Sequence, residues 1–149
     1  MSAIIVTPAA DADMEDIHAI ECASFSLPWT QGQLLRELYG EDSYFSVARD
    51  TERGDILGYV ILREIGYEAE LMNIAAREAS RRRGVASALM RDVIEHARNV
   101  GIANIFLEAR ASNAAALRLY EKHGFMRVGQ RRGYYDCPHE DAVIMKLDI

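Results

Sequence analysis

The most informative stretch of the sequence is Arg81-Arg82-Arg83-Gly84-Val85-Ala86, which joins an apolar strand-like segment to an amphipathic helix. Residues 70–76 before it predict a strand. Residues 85–100 after it carry apolar side chains at helical spacing, and Gly101 suits the left-handed position that ends a helix. A glycine turn that opens a helix leaves several backbone N–H groups unpaired and pointing outward. Backed by the positive end of the helix dipole, these donors predict a pyrophosphate site.

Apolar spacing on both sides of this run predicts the element order β-α-α-β-β-β-α-β-α-β-β. On the N-terminal side we expect strands at 4–7, 44–48 and 56–62, a helix over 13–25 and a second helix that Thr30 caps. On the C-terminal side we expect a strand at 102–109, a helix between a Ser112 or Asn113 cap and Gly124, and strands at 125–129 and 143–147. This order implies an α/β fold with a mixed sheet and helices on its faces. With no repeat or linker, residues 1–149 are expected to form a single domain.

Composition and charge limit the classes of function. Half of the 149 residues are hydrophobic and 27% are charged, as is typical of a globular protein. The net charge of −6 argues against general affinity for nucleic acid or anionic membranes and favours a basic partner. The sequence has neither a signal-peptide pattern nor an apolar run near the ~20 residues that cross a bilayer. We therefore expect a cytoplasmic protein without membrane association, and we take a monomer as the expected oligomeric state.

The two cysteines require neither a disulfide nor a metal. Cys22 and Cys137 lie far apart in sequence, so a disulfide is possible while a reduced pair is the default in the cytosol. Cys137 and His139 offer two candidate zinc ligands without a second well-spaced pair, and we therefore expect no metal. Neither cysteine belongs to a histidine motif that predicts nucleophilic catalysis.

Gly84 is the chemically informative residue of the basic turn. Without a Cβ it permits positive φ and lets a phosphate approach the backbone, and Ala86 and Ser87 keep the first helical turn small. The turn is not a P-loop, because no Gly-Lys-Ser/Thr follows, and its single glycine does not make a dinucleotide fingerprint. Taken by itself, the turn is better explained by a solvated basic stretch with an ordinary glycine before a helix.

This interpretation changes when three residues from a later part of the chain are considered. Glu108 lies near the end of the next predicted strand, and Asn113 lies near the start of the next helix. Tyr120 follows Asn113 by seven residues, which is two helical turns, and so lies on the same helix face. A carboxylate, an amide and a phenol could therefore converge on one cleft beside the phosphate turn.

The turn matches the acyl-CoA signature Gln/Arg-x-x-Gly-x-Gly/Ala, and the chain resembles the GNAT superfamily of acetyl-CoA-dependent N-acetyltransferases. Within it, the sequence looks most like the bacterial enzymes that acetylate the N-terminal alanine of a small-subunit ribosomal protein. The similar stretches are residues 25–29, 73–75, 107–116, 119–121, 124–125, 131–135 and 140–145. Ala86 stands where many members carry glycine. The resemblance implies a central, mostly antiparallel sheet that splays at the acetyl-CoA site, with helices on both faces.

The resemblance also implies how acetyl-CoA binds. Backbone groups of Ile74, Ala75 and Ala76 would pair with the pantetheine arm as an added strand does. The pyrophosphate would accept hydrogen bonds from the amides of Arg82, Arg83, Gly84, Val85, Ala86 and Ser87. Asn113 would contact the coenzyme further along. No metal cofactor is implied.

The expected chemistry is direct attack of an amine on the thioester. A protonated amine is not a nucleophile, so a base must take its proton, and Glu108 is the candidate. Expulsion of the thiolate is aided by a proton donor, for which Tyr120 is the candidate. Backbone N–H near Ala75 is a candidate donor to the oxyanion.

The acceptor implied by the resemblance is the N-terminal peptide of a basic ribosomal protein, which suits an acidic enzyme. Trp29 after Pro28 suggests an aromatic wall of a peptide groove, although a lone Pro-Trp pair is more often part of a capped loop packed on the core. Tyr134 and Tyr135 could close the opposite side. Glu21, Asp136 or Glu140 could attract the basic chain, and the sequence does not show which of them does.

Three alternatives remain open at this point. Other GNAT enzymes acetylate lysine side chains, polyamines or antibiotic amines, and acceptor specificity changes readily on a shared fold. A coenzyme A-binding regulatory subunit would lack catalysis, but the chain retains both Glu108 and Tyr120. Nucleic-acid binding through residues 81–83 and 131–132 conflicts with the net charge.

Overall fold

Seven strands form one mixed sheet in the computed structural model, which describes residues 3–81 and 83–149. The strands are β1 (Ile4–Pro8), β2 (Ser43–Asp50), β3 (Ile56–Ile65), β4 (Glu68–Ala76), β5 (Asn104–Arg110), β6 (Met126–Tyr135) and β7 (Glu140–Asp148). The helices are α1 (Met14–Ser24), α2 (Gln31–Tyr39), α3 (Val85–Asn99) and α4 (Ala114–Lys122), with short 3-10 turns at Asp11–Asp13 and Glu78–Ser80. The predicted order of strands and α-helices is confirmed.

The sheet has the order β1-β2-β3-β4-β5-β7-β6 and is mostly antiparallel. Only β4 and β5 pair in parallel among these neighbours. A parallel pair needs a long crossover, and the chain makes it through the basic turn and α3. The crossover therefore places the N-terminus of α3 after the C-terminal end of β4.

Helices cover both faces of the sheet because side chains alternate along the strands. On β3, Tyr59 and Ile61 pack in one apolar cluster with Ile17 of α1 and Leu34 of α2. The next residues along the strand, Val60 and Leu62, pack in a second cluster with the α3 and α4 side chains Leu89 and Leu117. Burying each such aliphatic side chain contributes about 1.5–3 kcal/mol. The two clusters hold α1 and α2 on one face and α3 and α4 on the other, so helices lie on both faces, as predicted.

The parallel strands separate after a short paired stretch. Residues 68–70 of β4 pair with 104–106 of β5, and no further pairing joins the two strands over their described residues. Beyond this point β4 stays paired with β3 as far as Ala76, whereas β5 continues along β7 as far as Arg110. A register shift opposite Ile61 and Leu62 marks a bulge in this part of β4, and bulges bend and twist a strand. The sheet therefore opens between β4 and β5, as the resemblance implied.

The two closing strands are longer than predicted. β6 continues to Tyr135 rather than ending at Gly129, and β7 begins at Glu140 rather than at Val143. β6 is an edge strand whose residues are mostly exposed, so no apolar alternation marks its second half. The extension matters for the candidate site because it carries Tyr134 and Tyr135, whose phenols interact with Glu108 on β5.

Candidate active site

The phosphate turn has the predicted backbone conformation. Gly84 is the N-cap of α3 with φ of 80°, in the left-handed region that favours glycine. Apart from its chain neighbours, no heavy atom of the described residues lies within 4 Å of a Cβ built on Gly84, so the dihedral angle, and not crowding, calls for glycine. The first helical hydrogen bond runs from the Ala88 amide to the Gly84 carbonyl at 2.9 Å. The amides of Val85, Ala86 and Ser87 lie in the first turn of the helix, before this bond, which is where an anion site at a helix start has its donors.

Among the arginines of the turn, Arg83 makes contacts that hold the turn in place. The Arg83 guanidinium reaches the Asp50 carboxylate at 3.3 Å, and the Arg83 amide donates to the Ser80 carbonyl at 3.4 Å. The carboxylate of Asp50 also accepts from the amides of Glu52 and Arg53 at the end of β2. Arg83 therefore ties the turn to β2. Arg82, which the resemblance includes among the phosphate donors, lies outside the described residues.

Two basic residues that sequence reasoning did not single out lie beside the turn. The Nζ atom of Lys122 and the Nε2 atom of His123 lie 3.4 Å and 3.3 Å from the hydroxyl of Ser87. Burial lowers the pKa of His123, which favours its neutral form near pH 7. These residues end α4, and only the packing of α4 beside α3 brings them to the turn.

The edge of β4 contains the residues expected to hold pantetheine. Ala75 is buried, whereas Ile74 and Ala76 are half-buried at the part of β4 that β5 no longer covers. A cavity of about 150 Å³ lies between Ala76, the following turn and α1, with Ile20 and Arg81 in its lining. This arrangement leaves space for an extended ligand from the strand edge toward the turn.

Glu108 lies on β5 beyond the point of separation. It shares a strand face with Phe106 and Arg110, opposite the buried Leu107, as the alternation predicted. Its carboxylate lies 3.3 Å from the guanidinium of Arg131 on β6, and a hydrogen bond to it raises the pKa of Tyr134. Because the Arg131 side chain is 57% exposed, this ion pair is weak and a ligand can replace it.

Beside Glu108 is a cavity of about 250 Å³. Glu70 and Phe106 line it at the last paired residues of β4 and β5, together with Arg131 and Ile144. Glu108 is therefore accessible from this cavity, as a general base must be accessible to its substrate.

Tyr120 lies on α4 and is 8% exposed. Its ring packs on Phe125 with centroids 5.9 Å apart, and burial raises its pKa to about 12, with a smaller contribution from Tyr135. Burial and the nearby Glu108 likewise raise the pKa of Tyr135 to about 12. Tyr135 thus interacts electrostatically with both candidate catalytic residues, and both phenols are protonated at neutral pH.

Asn113 is the N-cap of α4. Its side-chain oxygen accepts a hydrogen bond from the Ala116 amide at 3.2 Å, so capping occupies this oxygen. The residue is exposed, and contact with a coenzyme would come from its side-chain nitrogen.

Arg110, two residues after Glu108, joins the two segments expected on the acceptor side. It donates to the carbonyls of Asp136 and Pro138 at 2.8 Å each and to the Ser26 hydroxyl at 3.3 Å. It also lies 4.6 Å from the centre of the Tyr135 ring. Sequence reasoning quoted Arg110 only within the resemblance, and its bridging role follows from contacts 26 to 84 residues apart.

The acidic residues suggested for the acceptor have different environments. Asp136 is exposed on the turn between β6 and β7. Glu140 accepts hydrogen bonds from Ser112, which lower the pKa of its carboxyl, and from Arg110. The suggestion that Glu21 attracts a basic chain is wrong, because Glu21 is only 1% exposed and its carboxylate is bonded within the core.

Trp29 is half-buried and packs against the cluster beneath α1 and α2. Phe25 and Leu27 in the same segment are exposed, as is Tyr134 on β6. The apolar surface that faces solvent here therefore comes from Phe25 and Leu27 more than from Trp29.

The remaining features concern metals, cysteines and membranes. Among residues 3–81 and 83–149, no group of three or more His, Cys, Asp or Glu side chains is arranged to hold a metal ion. Cys22 and Cys137 are both free and exposed. No helix in that part of the chain is long and apolar enough to span a membrane.

Comparison with known proteins identifies relatives over nearly the whole chain. The model of the acetyltransferase (GNAT) family matches residues 14–125. The ribosomal protein bS18-alanine N-acetyltransferase of Haemophilus ducreyi is 31% identical over 146 residues, covering 96% of this chain and 99% of that protein. Its namesake in Escherichia coli K12 is 34% identical over 139 residues, covering 92% of each. The crystal structure of the ribosomal-protein-S18-alanine N-acetyltransferase from Escherichia coli has a TM-score of 0.90 at 32% identity, covering 99% of this chain and 94% of that one.

Proposed function

The chain belongs to the acetyltransferase (GNAT) family, and on that premise we propose that it transfers the acetyl group of acetyl-CoA to the N-terminal alanine of a small-subunit ribosomal protein. The observation that carries the proposal is the separation of β4 and β5 beyond residues 70 and 106, with Glu108 on one side and the phosphate turn on the other. The names of the two relatives support the acceptor, since both are called alanine N-acetyltransferases of ribosomal protein bS18.

Acetyl-CoA binds along the open edge of β4. The pantetheine arm pairs with Ile74, Ala75 and Ala76, because this edge offers backbone groups that β5 does not use. The pyrophosphate lies on the amides at the start of α3, which include those of Gly84, Val85, Ala86 and Ser87, with Arg82 and Arg83 in the preceding turn. Asn113 donates from its amide nitrogen further along. No metal takes part in this scheme.

Transfer requires an amine that has lost its proton. At pH 7 the neutral fraction of an α-amine is roughly 300 times that of a lysine side chain, because their reference pKa values are ~7.8 and ~10.4. Glu108 accepts the proton of the ammonium form, directly or through water, and the neutral amine attacks the thioester carbon. The second proton, which the nitrogen loses on becoming an amide, replaces the one that Tyr120 gives to the sulfur. This preference for an easily deprotonated amine supports an N-terminus, rather than lysine, as the acceptor.

Collapse of the tetrahedral intermediate breaks the carbon–sulfur bond. Tyr120 donates its phenolic hydrogen toward the departing sulfur, and its pKa of about 12 keeps the hydrogen in place at working pH. A phenol with so high a pKa is a weak acid, so its donation matters most in the transition state, where negative charge builds on sulfur. A backbone N–H near Ala75 stabilises the oxyanion.

The test is intact-mass measurement on two short peptides incubated with protein and acetyl-CoA. One begins with free alanine followed by basic residues, and its control has a blocked N-terminus and an internal lysine. We expect one acetyl group on the first peptide and none on the control. Acetylation of the control would contradict the proposal in favour of a lysine acetyltransferase, and transfer to neither would leave only coenzyme A binding.

A further inference from the structure

Glu21 is a buried carboxylate that the reaction described above does not use. It lies on α1, is 1% exposed, and accepts three hydrogen bonds. The donors are the hydroxyl of Tyr59, the side-chain nitrogen of Asn73 at 2.8 Å and the backbone amide of Trp29 at 2.8 Å. All three donors are neutral groups. A buried carboxylate is costly unless its hydrogen bonds are complete, so this arrangement depends on all its partners.

The three donors come from three different parts of the fold. Tyr59 lies on β3, and Asn73 lies on β4 beyond its separation from β5, next to Ile74. Trp29 lies in the segment of residues 25–30 between α1 and α2, called here the α1–α2 segment. One carboxylate therefore fixes that segment to the strand edge along which acetyl-CoA is proposed to bind.

The α1–α2 segment has a second attachment, at Ser26, to Arg110 of β5. Arg110 reaches the hydroxyl of Ser26 at 3.3 Å, while Phe25 and Leu27 on either side are exposed. The bond from Trp29 to Glu21 anchors the other end of the segment, next to the N-cap of α2. The position of the exposed apolar side chains relative to β4 thus depends on Glu21.

We propose that Glu21 is a positioning residue for the acceptor: through Trp29 and Asn73 it sets the distance between the α1–α2 segment and the acetyl-CoA edge of β4. This inference rests on the proposed function for the identity of the acceptor. It predicts different effects on the two affinities, because pairing with β3 holds Ile74, Ala75 and Ala76 in place without Glu21, whereas the α1–α2 segment depends on the bond from Trp29. Loss of Glu21 weakens binding of the peptide and leaves binding of acetyl-CoA intact.

The substitution Glu21→Gln tests the carboxylate at constant size. Glutamine has one acceptor oxygen and one NH₂ donor, whereas Glu21 accepts with both oxygens. If the oxygen stays with Tyr59 and Asn73, the NH₂ group faces the Trp29 amide, donor against donor. If the side chain flips, the conflict moves to Asn73. Either way the link between the α1–α2 segment and β4 is lost.

Kinetics of E21Q give the first measurement. We expect the KM for the free-alanine peptide to rise by about tenfold, as for the loss of a hydrogen bond to a charged group, with the KM for acetyl-CoA within about twofold of wild type. The control is Asp13→Asn, at the other end of α1, where a carboxylate that is 6% exposed binds Arg49 and the Ala10 amide. D13N should lower the thermal stability without changing the ratio of the two KM values. Equal increases of both KM values in E21Q would overturn the proposal.

Trp29 provides a readout that does not require activity, because it is the single tryptophan of the chain. In E21Q we expect its emission to shift to longer wavelength and its quenching by acrylamide to increase, whereas D13N should match wild type. Unchanged quenching in folded E21Q would overturn the anchoring role. If E21Q does not fold, Tyr59→Phe removes one donor only and should give smaller changes of the same sign, and its failure to do so would equally overturn the role. If the wild-type protein does not acetylate the peptide, the proposed function is refuted. The emission and quenching of Trp29 would still test the role of Glu21.

Discussion

Tyr120 combines deep burial with a hydroxyl that the proposed reaction needs. Its ring packs on Phe125, and this contact is the same for phenylalanine as for tyrosine. Tyr120→Phe should therefore fold normally and lower kcat on the order of 10²-fold, with little change in the KM for acetyl-CoA. Tyr67→Phe, at a tyrosine that is 80% exposed, is the control for loss of a phenol. An unchanged kcat in Y120F would remove Tyr120 from the mechanism.

Loss of Glu108 is expected to lower kcat/KM most at pH values at which the acceptor amine is protonated. Glu108→Gln should lower kcat/KM for the alanine peptide on the order of 10²-fold at pH 7, and the deficit should shrink toward pH 9 as the α-amine, with a reference pKa of ~7.8, loses its proton unaided. Tyr120 does not interfere in this range, because its raised pKa of about 12 keeps the acid form present well above pH 10. A pH-independent deficit, measured by initial rates from pH 6.5 to 9.5, would argue against Glu108 as the base.

At the scale of elements, the two ends of α3 offer a matched pair of substitutions. Gly84 and Gly101 both have left-handed φ, of 80° and 82°, and apart from chain neighbours no heavy atom of the described residues lies within 4 Å of a Cβ built on either. Alanine at either position should therefore cost about 1–2 kcal/mol from backbone strain alone. Only Gly84→Ala should also raise the KM for acetyl-CoA, because only the N-terminal turn is proposed to bind pyrophosphate. Thermal unfolding and steady-state kinetics of both variants separate strain from binding, and an equal KM in the two would contradict the phosphate site.

The elements themselves were largely predictable. Thr30 forms the predicted N-cap with a capping box to Gln33, and Asn113 caps α4. These signals depend on a few neighbouring residues, so they are readable without knowledge of the fold. The second half of β6 was missed because an exposed edge strand has no apolar alternation, and its pairing with β7 extends it instead.

At the scale of the whole molecule, the net charge of −6 should steer a basic acceptor toward the protein. Between low salt and about 0.5 M salt, kcat/KM for a basic alanine peptide should fall on the order of tenfold as the Debye length shortens. A peptide of the same length with glutamine in place of its basic residues should change little. Equal salt dependence for the two peptides would show that charge does not contribute to acceptor recognition.

Neighbouring residues encode the periodicity of the helices and strands, their caps and the left-handed Gly84 before α3, and these features were predictable. The family resemblance singles out Glu108 and Tyr120, and those two assignments stay predictions until the variants are measured. Which side chains meet follows only from the folded chain. It put Glu21 in the core rather than on the acceptor surface, set Arg110 between two loops, and brought Tyr135 near both candidate catalytic residues. Such contacts join residues many positions apart, and they depend on strand register and on the separation of β4 from β5, which no local pattern encodes.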